Sequence, residues 1–265
     1  MSDRLPVRKT DKLVVGGAFP RSESGRTLEV EGYNIARASR KDARDAVVAA
    51  RKAVAGWSGA TAYNRGQVLY RLAETMETRT AALAAASSGR RVVARAIDRV
   101  VWYAGWADKL AQVLGSSNPV AGPYFNFTLP EPTGVVAVIA PDEPALDGLV
   151  SRIVPALVGG NAVIAVASET HPLAAIELAE AVATSDVPAG VVNVLTGLRS
   201  ELAPVLAGHM DVNAIDVTGA DGERAALEQL AAENVKRVVR AKEEQSPWEI
   251  ASFMELKTVW HPIGP

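Results

Sequence analysis

The sequence predicts an α/β protein built on a doubly wound parallel sheet, preceded by helices and joined to a small β appendage. Two observations carry this. Short apolar runs at residues 134–140, 162–167, 191–195, 212–217 and 235–239 recur through the second half of the chain. Helical patterns separate them: Leu146, Leu149, Val150, Ile153 and Leu157 form one, and others open near Pro172, Ser200 and Gly222. Strands that are apolar at every position are buried on both faces, as in a parallel sheet, and intervening helices are how parallel strands are connected. With 265 residues, 48% hydrophobic and 22% charged, the chain suits one large domain with an appendage.

The elements follow in order. Residues 13–33 alternate and carry turn signals at Gly16-Gly17 and Ser24-Gly25, which predicts a small β-hairpin region. Ser39, with Asp42 three positions on, predicts a helix N-cap. Ala43, Val47, Ala50, Val54 and Trp57 then recur on one helical face. A second helix is expected over 64–84, with Leu69, Leu72 and Met76 inward, and a third over 92–114. On that third helix Arg91, Arg95 and Arg99 form a stripe expected to be solvated, whereas Trp102 and Trp106 are expected to pack. Residues 115–123, rich in Ser, Asn, Pro and Gly, read as a loop, and 124–129 as a strand. The run 153–168 is apolar but contains Pro155 and Gly159-Gly160, so it reads as a helix end, a turn and a buried strand rather than a membrane span. The polar residues 240–251 read as a linker, and 252–265 as a terminal strand that needs a sheet to join. The expected organisation is therefore one domain over 1–239, including hairpin strands near 124–134, then the linker and the terminal strand.

Composition narrows the chemistry. A net charge of −2 argues against nucleic acid or an anionic membrane as partner. The absence of cysteine removes disulfides, thiolate metal sites and cysteine nucleophiles, and suits a reducing cytoplasm. No apolar segment follows the first residues, so no signal peptide is expected. His171, His209 and His261 are widely spaced and read as surface residues, and no metal site is expected. Asp142-Glu143 reads as a solvated helix start, where carboxylates suit the helix dipole.

Several segments together are specific. They are Arg51 to Trp57; Tyr103-Ala104-Gly105-Trp106-Ala107-Asp108-Lys109; Phe125-Asn126-Phe127-Thr128 with Glu131-Pro132-Thr133-Gly134-Val135-Val136; and Pro155-Ala156-Leu157 through Gly160-Asn161. Pro188-Ala189-Gly190-Val191-Val192-Asn193-Val194 with Thr196-Gly197, and the ending Glu255-Leu256-Lys257-Thr258-Val259-Trp260, complete the set. In this order, over almost the whole chain, they resemble the aldehyde dehydrogenase superfamily. The resemblance implies a Rossmann-like cofactor domain and the strands of an oligomerisation appendage.

The resemblance also implies a mechanism against which each position can be checked. The family attacks an aldehyde with a cysteine thiolate, holds the alkoxide with an asparagine amide, passes hydride to NAD or NADP, and uses a glutamate to activate water. This chain has no cysteine. Glu143 falls at the asparagine position, where a carboxylate repels a developing alkoxide. Taking Ser246-Pro247 as the end of the family's base segment puts Ala241 at the glutamate, and alanine cannot act as a base. After Pro247 the likeness passes directly to the family's closing strand, so the catalytic domain is missing between them. At the cofactor site Val166 stands for the family's ribose-binding lysine, Val217 for an aromatic residue, Ala220 for a serine and Arg224 for a glycine. Ile139, Pro141, Ser168, Glu169, Gly197, Thr218 and Gly219 remain as a vestigial site at which NAD is conceivable but not expected.

The expected function is thus a catalytically deficient subunit that assembles with a full-length, active aldehyde dehydrogenase, or with itself, through Phe125, Phe127, Phe253, Leu256, Val259 and Trp260. An enzyme subunit whose cysteine comes from a partner chain, and a self-assembling structural protein, are the alternatives.

Overall fold

The computed structural model describes residues 7–241 and 245–264. At the amino-terminal end, β1 (Thr10–Asp11), β2 (Thr27–Val30) and β3 (Tyr33–Ala36) form a three-stranded sheet in the order β1-β3-β2. The hairpin turn is Glu31-Gly32 rather than Ser24-Gly25. Both residues take positive φ, 53° and 81°, which matches the right-handed twist of the strands they join. Gly16-Gly17 makes the expected tight turn, bringing Val15 against Ala18.

α1 (Arg40–Gly59) starts where predicted: Ser39 Oγ accepts from the Asp42 N–H at 3.3 Å, and the Asp42 carboxylate accepts from the Ser39 N–H at 2.7 Å. The helix expected over 64–84 is two, α2 (Ala62–Thr78) and α3 (Thr80–Ala85). They are divided at Arg79, whose guanidinium reaches Glu177 at 2.9 Å and Glu180 at 2.5 Å. The helix expected over 92–114 is likewise α4 (Arg90–Ala104) and α5 (Leu110–Leu114), separated by a turn at Gly105. β4 (Ser116–Asn118) lies inside the predicted loop, and β5 (Tyr124–Pro132) runs three residues further than expected.

The second half alternates as predicted. β6 (Val135–Ile139), α6 (Ala145–Val158), β7 (Ala162–Val166), α7 (Pro172–Ala183), β8 (Val192–Leu195), α8 (Arg199–Gly208), β9 (Ala214–Asp216), α9 (Arg224–Ala232) and β10 (Arg237–Val239) follow one another. The five strands pair in parallel in the order β10-β9-β6-β7-β8, so the winding reverses between β6 and β9. Successive side chains on a strand face opposite ways, and the core divides accordingly. Val135, Ala137, Ile139, Ile164 and Val166 pack with Ala46 and Val47 of α1, Leu202 and Leu206 of α8, and Leu227 of α9. Val136, Val138, Val163 and Ala165 face α6, α7, α2 and α4 on the other side.

Two elements close the chain, α10 (Pro247–Ala251) and β11 (Met254–Pro262). β11 returns antiparallel to β5, from Met254↔Pro132 to Pro262↔Tyr124, giving a third sheet in the order β11-β5-β4. No helix among the described residues is long and apolar enough to cross a membrane.

Three sequence expectations need correction. Residues 240–251 are not a plain polar linker. Ser246 caps α10, Ile250 and Glu249 are buried, and only residues 242–244 of that stretch lie outside the described ones. Arg99 is not on a solvated face: it is buried and grips Asp147 of α6 through Nε (3.0 Å) and Nη2 (3.3 Å), with Arg95 joining at 2.8 Å. Phe253 is 0% exposed inside the chain's own core, so it is not available to a partner.

At the edge of the main sheet Lys236 is nearly buried, its Nζ donating to His209 O (2.9 Å) and Asn234 Oδ1 (2.8 Å). Burial pushes the amine down to about 8 from 10.5. Between those two values the unfolded chain binds more protons than the folded one, so this group makes stability rise with pH there. Denaturant unfolding of the wild type and Lys236→Met is expected to show the gap moving in favour of the wild type from pH 8 to pH 10.5. A constant gap would contradict the burial argument.

Candidate functional site

In an open parallel sheet, ligands bind outside the carboxyl ends of the strands. Here those ends are Ala140-Pro141-Asp142 after β6, Ala167-Ser168-Glu169 after β7, Thr196-Gly197-Leu198 after β8 and Val217-Thr218-Gly219 after β9. The residues expected from sequence are therefore brought to one edge, with one exception. Ile139 is the last residue of β6 and points into the core under α1 and α8, so it does not line the crevice.

These loops bind one another. Asp142 organises the corner above β6 and β7: its Oδ1 accepts from Ser168 Oγ (2.9 Å), from the Glu169 N–H (3.0 Å) and from Arg199 Nη2 (3.1 Å). Burial works against ionisation of Asp142, but the Ser168 hydroxyl, the Arg199 cation and the Glu169 N–H together hold its carboxyl below the ordinary range. A carboxyl lowered in this way stabilises the fold above its unfolded value of about 3.9, and the contribution is lost as pH falls through the lower folded value. Asp142 is thus part of a structural network and not the solvated helix start read from sequence.

Arg199, which sequence reasoning passed over, crosses the same corner. Its Nη2 also donates to Ala140 O at 3.0 Å, and its backbone N–H donates to the Glu169 carboxylate. The available signal was its place, two residues after Gly197 at the end of β8 and at the start of α8. On the other side of the switch point, Gly219 lies on the β6 loop. A Cβ there would collide with the Ala140 carbonyl and the Pro141 nitrogen. Thr218 is held locally, its N–H donating to Asp216 Oδ1 (2.8 Å) and its Oγ1 accepting from the Ala241 N–H (2.8 Å).

The positions named for catalysis do not assemble into an acid–base pair. Glu143 is exposed after β6, and its carboxylate lies 2.8 Å from His171 Nε2, while His171 Nδ1 lies 2.8 Å from Glu31. His171 is half-exposed and bridges the β2–β3 turn to the β6 loop. Ala241 follows β10 and contributes a backbone N–H. Among the described residues no group of histidines and carboxylates could hold a metal.

The residues that the sequence points to for a dinucleotide have partners within the chain. Glu169, the remaining acceptor for ribose hydroxyls, already accepts from the α8 N-terminus. The cation at the corner is held by Asp142, and Val166 is buried where a lysine would reach out.

A buried ion triad, also not anticipated from sequence, ties the end of the chain to the sheet. Arg152 of α6 donates through Nε to Asp216 of β9 (2.7 Å) and through Nη1 to Glu249 of α10 (2.5 Å), and it stands 5.7 Å from the centre of the Phe253 ring. Asn161 Nδ2 and Thr133 Oγ1 both donate to Phe253 O, at 3.0 and 2.7 Å. The short path from α10 into β11 is thereby fixed.

The β11-β5-β4 sheet presents the remaining candidates. Phe125, Leu256, Val259 and Trp260 are exposed, as are Tyr124 and Leu129, and Phe127 is half-buried against Phe125 at 5.3 Å. By the register, Phe125, Phe127, Leu129 and Val259 share one face, and Tyr124, Leu256 and Trp260 the other. Tyr124 and Trp260 meet edge-on at 5.8 Å. Both faces therefore carry uncovered apolar groups, and β11 is an edge strand among the described residues.

Comparison with known proteins agrees with this architecture. The model of the family described as "Aldehyde dehydrogenase family" matches residues 27–261. Cytosolic aldehyde dehydrogenase 1 of Elephantulus edwardii is 33% identical over 248 residues, covering 86% of this chain and 49% of that protein. Retinal dehydrogenase 2 of Gallus gallus is 33% identical over 266 residues, covering 92% and 50%. The crystal structure of HpcC from Thermus thermophilus superposes with a TM-score of 0.83 at 29% identity, covering 88% of this chain and 48% of that one. The chain spans about half the length of the relatives it matches. With a family model covering most of its residues and the same sheet and helices in place, the chain belongs to the aldehyde dehydrogenase family.

Proposed function

We propose that the chain is a catalytically deficient aldehyde-dehydrogenase-like subunit that assembles with a full-length, active family member and stabilises or regulates it. The observation that carries this reading is the β11-β5-β4 sheet, which presents Phe125, Leu256, Val259 and Trp260 to solvent beside β11, an edge strand among the described residues. An exposed apolar patch with an unpaired strand edge is a liability for a lone monomer and a docking surface in an assembly. Deficiency in catalysis is supported by chemistry at named positions: no cysteine in the chain, Glu143 where a donor to an oxyanion is needed, and Ala241 where a base is needed.

Light scattering during gel filtration tests the assembly part. The purified chain, mixed with a full-length aldehyde dehydrogenase from its own source, is expected to elute in a stoichiometric complex. Elution as a monomer of 27.9 kDa beside an unchanged enzyme would overturn the reading. The isolated chain is expected to give no NAD(P)-dependent aldehyde oxidation, and turnover by the chain alone would contradict the deficiency.

A further inference from the structure

Both features that make an anion-binding corner in an α/β sheet are present above β6, β7 and β8, and the chain's own carboxylates occupy both. The first feature is a helix N-terminus, whose free N–H groups and dipole favour negative charge. α8 is ten residues long, and its first N–H, that of Arg199, donates to the Glu169 carboxylate. The second is a cation. The Arg199 guanidinium is turned inward over the strand ends, and the residue is only 9% exposed. Its Nη2 is held by Ala140 O and Asp142 Oδ1, and its Nε is buried with no hydrogen-bond partner.

The Arg199 side chain sets one nitrogen against two acceptors of the strand-end loop after β6. It fills space at the ends of three neighbouring strands, linking the β6 loop, the β7 loop and the start of α8. Asp142 completes the plug through Ser168 Oγ and the Glu169 N–H.

We propose that Arg199 is the built-in occupant of the corner in which a sheet of this kind takes the adenosine end of a dinucleotide. The side chain excludes NAD and NADP from this chain by standing where the ribose would lie, across Ala140 O and Asp142 Oδ1, while the backbone N–H of the same residue engages the Glu169 carboxylate. This does not rest on the assembly role proposed above: a chain that assembles with nothing would still carry the plug.

Calorimetric titration with NAD and with ADP-ribose tests it, on the wild type, on Arg199→Gly and on the double variant Arg199→Gly/Asp142→Ala. The double variant removes the carboxylate that loses its partner, and so guards against misfolding of the single one. Circular dichroism reports whether each variant keeps its helices. The expected result is no measurable binding by the wild type and a gain of about ten-fold or more in ADP-ribose affinity in at least one variant. Three results would overturn the proposal. They are wild-type binding as tight as that of either variant, weaker binding once Arg199 is removed, or no binding by any of the three proteins. The wild-type titration is decisive by itself if it shows micromolar affinity for NAD, because a plugged corner cannot give it.

Discussion

Arg152→Ala is expected to lose about 3–5 kcal/mol of stability, the usual result of removing one member of a buried ion group. Asp216 is 0% exposed and Glu249 2%, so the two remaining carboxylates cannot recover hydration where they stand. Among the described residues, Asp216 keeps the Thr218 N–H on its other oxygen. Against a typical domain stability of about 5–15 kcal/mol this is a large share, and Arg152→Ala is expected to unfold at a much lower urea midpoint. Glu249→Gln separates charge from packing. Neutralising Glu249 keeps its shape and leaves Arg152 paired with Asp216, so a smaller loss than that of Arg152→Ala is expected. Equal losses from both variants would show that the triad is not acting as a charge network. The triad also reports on how the chain is built, since Glu249 lies on α10, immediately before the turn into β11. Weakening it is expected to loosen the appendage together with the sheet.

The opposite pattern is expected at the β11-β5-β4 sheet. Leu256→Asp with Trp260→Asp places two charges on one face of β11, on side chains that are each 58% exposed. Exposed positions away from caps and cores change folding stability by about 0.5 kcal/mol or less, so the isolated chain is expected to stay folded. A tryptophan at the centre of an interface, by contrast, commonly contributes about 2–4 kcal/mol to binding, which is a weakening of about 30- to 1,000-fold on removal. The double variant is therefore expected to lose its complex and keep its circular dichroism. Retention of the complex would place the interface elsewhere. Phe253→Ala is the internal control: it is buried inside the chain, so its effect is expected on unfolding of the isolated protein, about 3–5 kcal/mol as for other buried aromatic side chains.

The parallel sheet was legible in the sequence because burial on both faces forces every position of β6 and β7 to be apolar. The N-cap of α1 was legible because Ser39 and Asp42 are close in sequence and satisfy each other. What escaped was set by partners distant in the chain. Arg99 lies on a helix face that looks solvated until Asp147, 48 residues away, is brought beneath it. Glu249 sits in a stretch polar enough to read as a linker, yet its partner Arg152 is 97 positions upstream. Phe253 has the apolar character of an interface residue, and only its position between Asn161, Thr133 and Arg152 shows that it faces inward. Arg199 was overlooked for the same reason. The substitutions at Val166, Val217, Ala220 and Arg224 could be read by comparison with a motif, whereas a side chain folding back over three strand ends is visible only in three dimensions.

The most direct measurement of the central claim is the mass of the native complex purified from the protein's own cells at gentle salt. A stoichiometric complex with a full-length, cysteine-containing aldehyde dehydrogenase is the predicted result. A homo-oligomer of this chain alone would contradict the helper role.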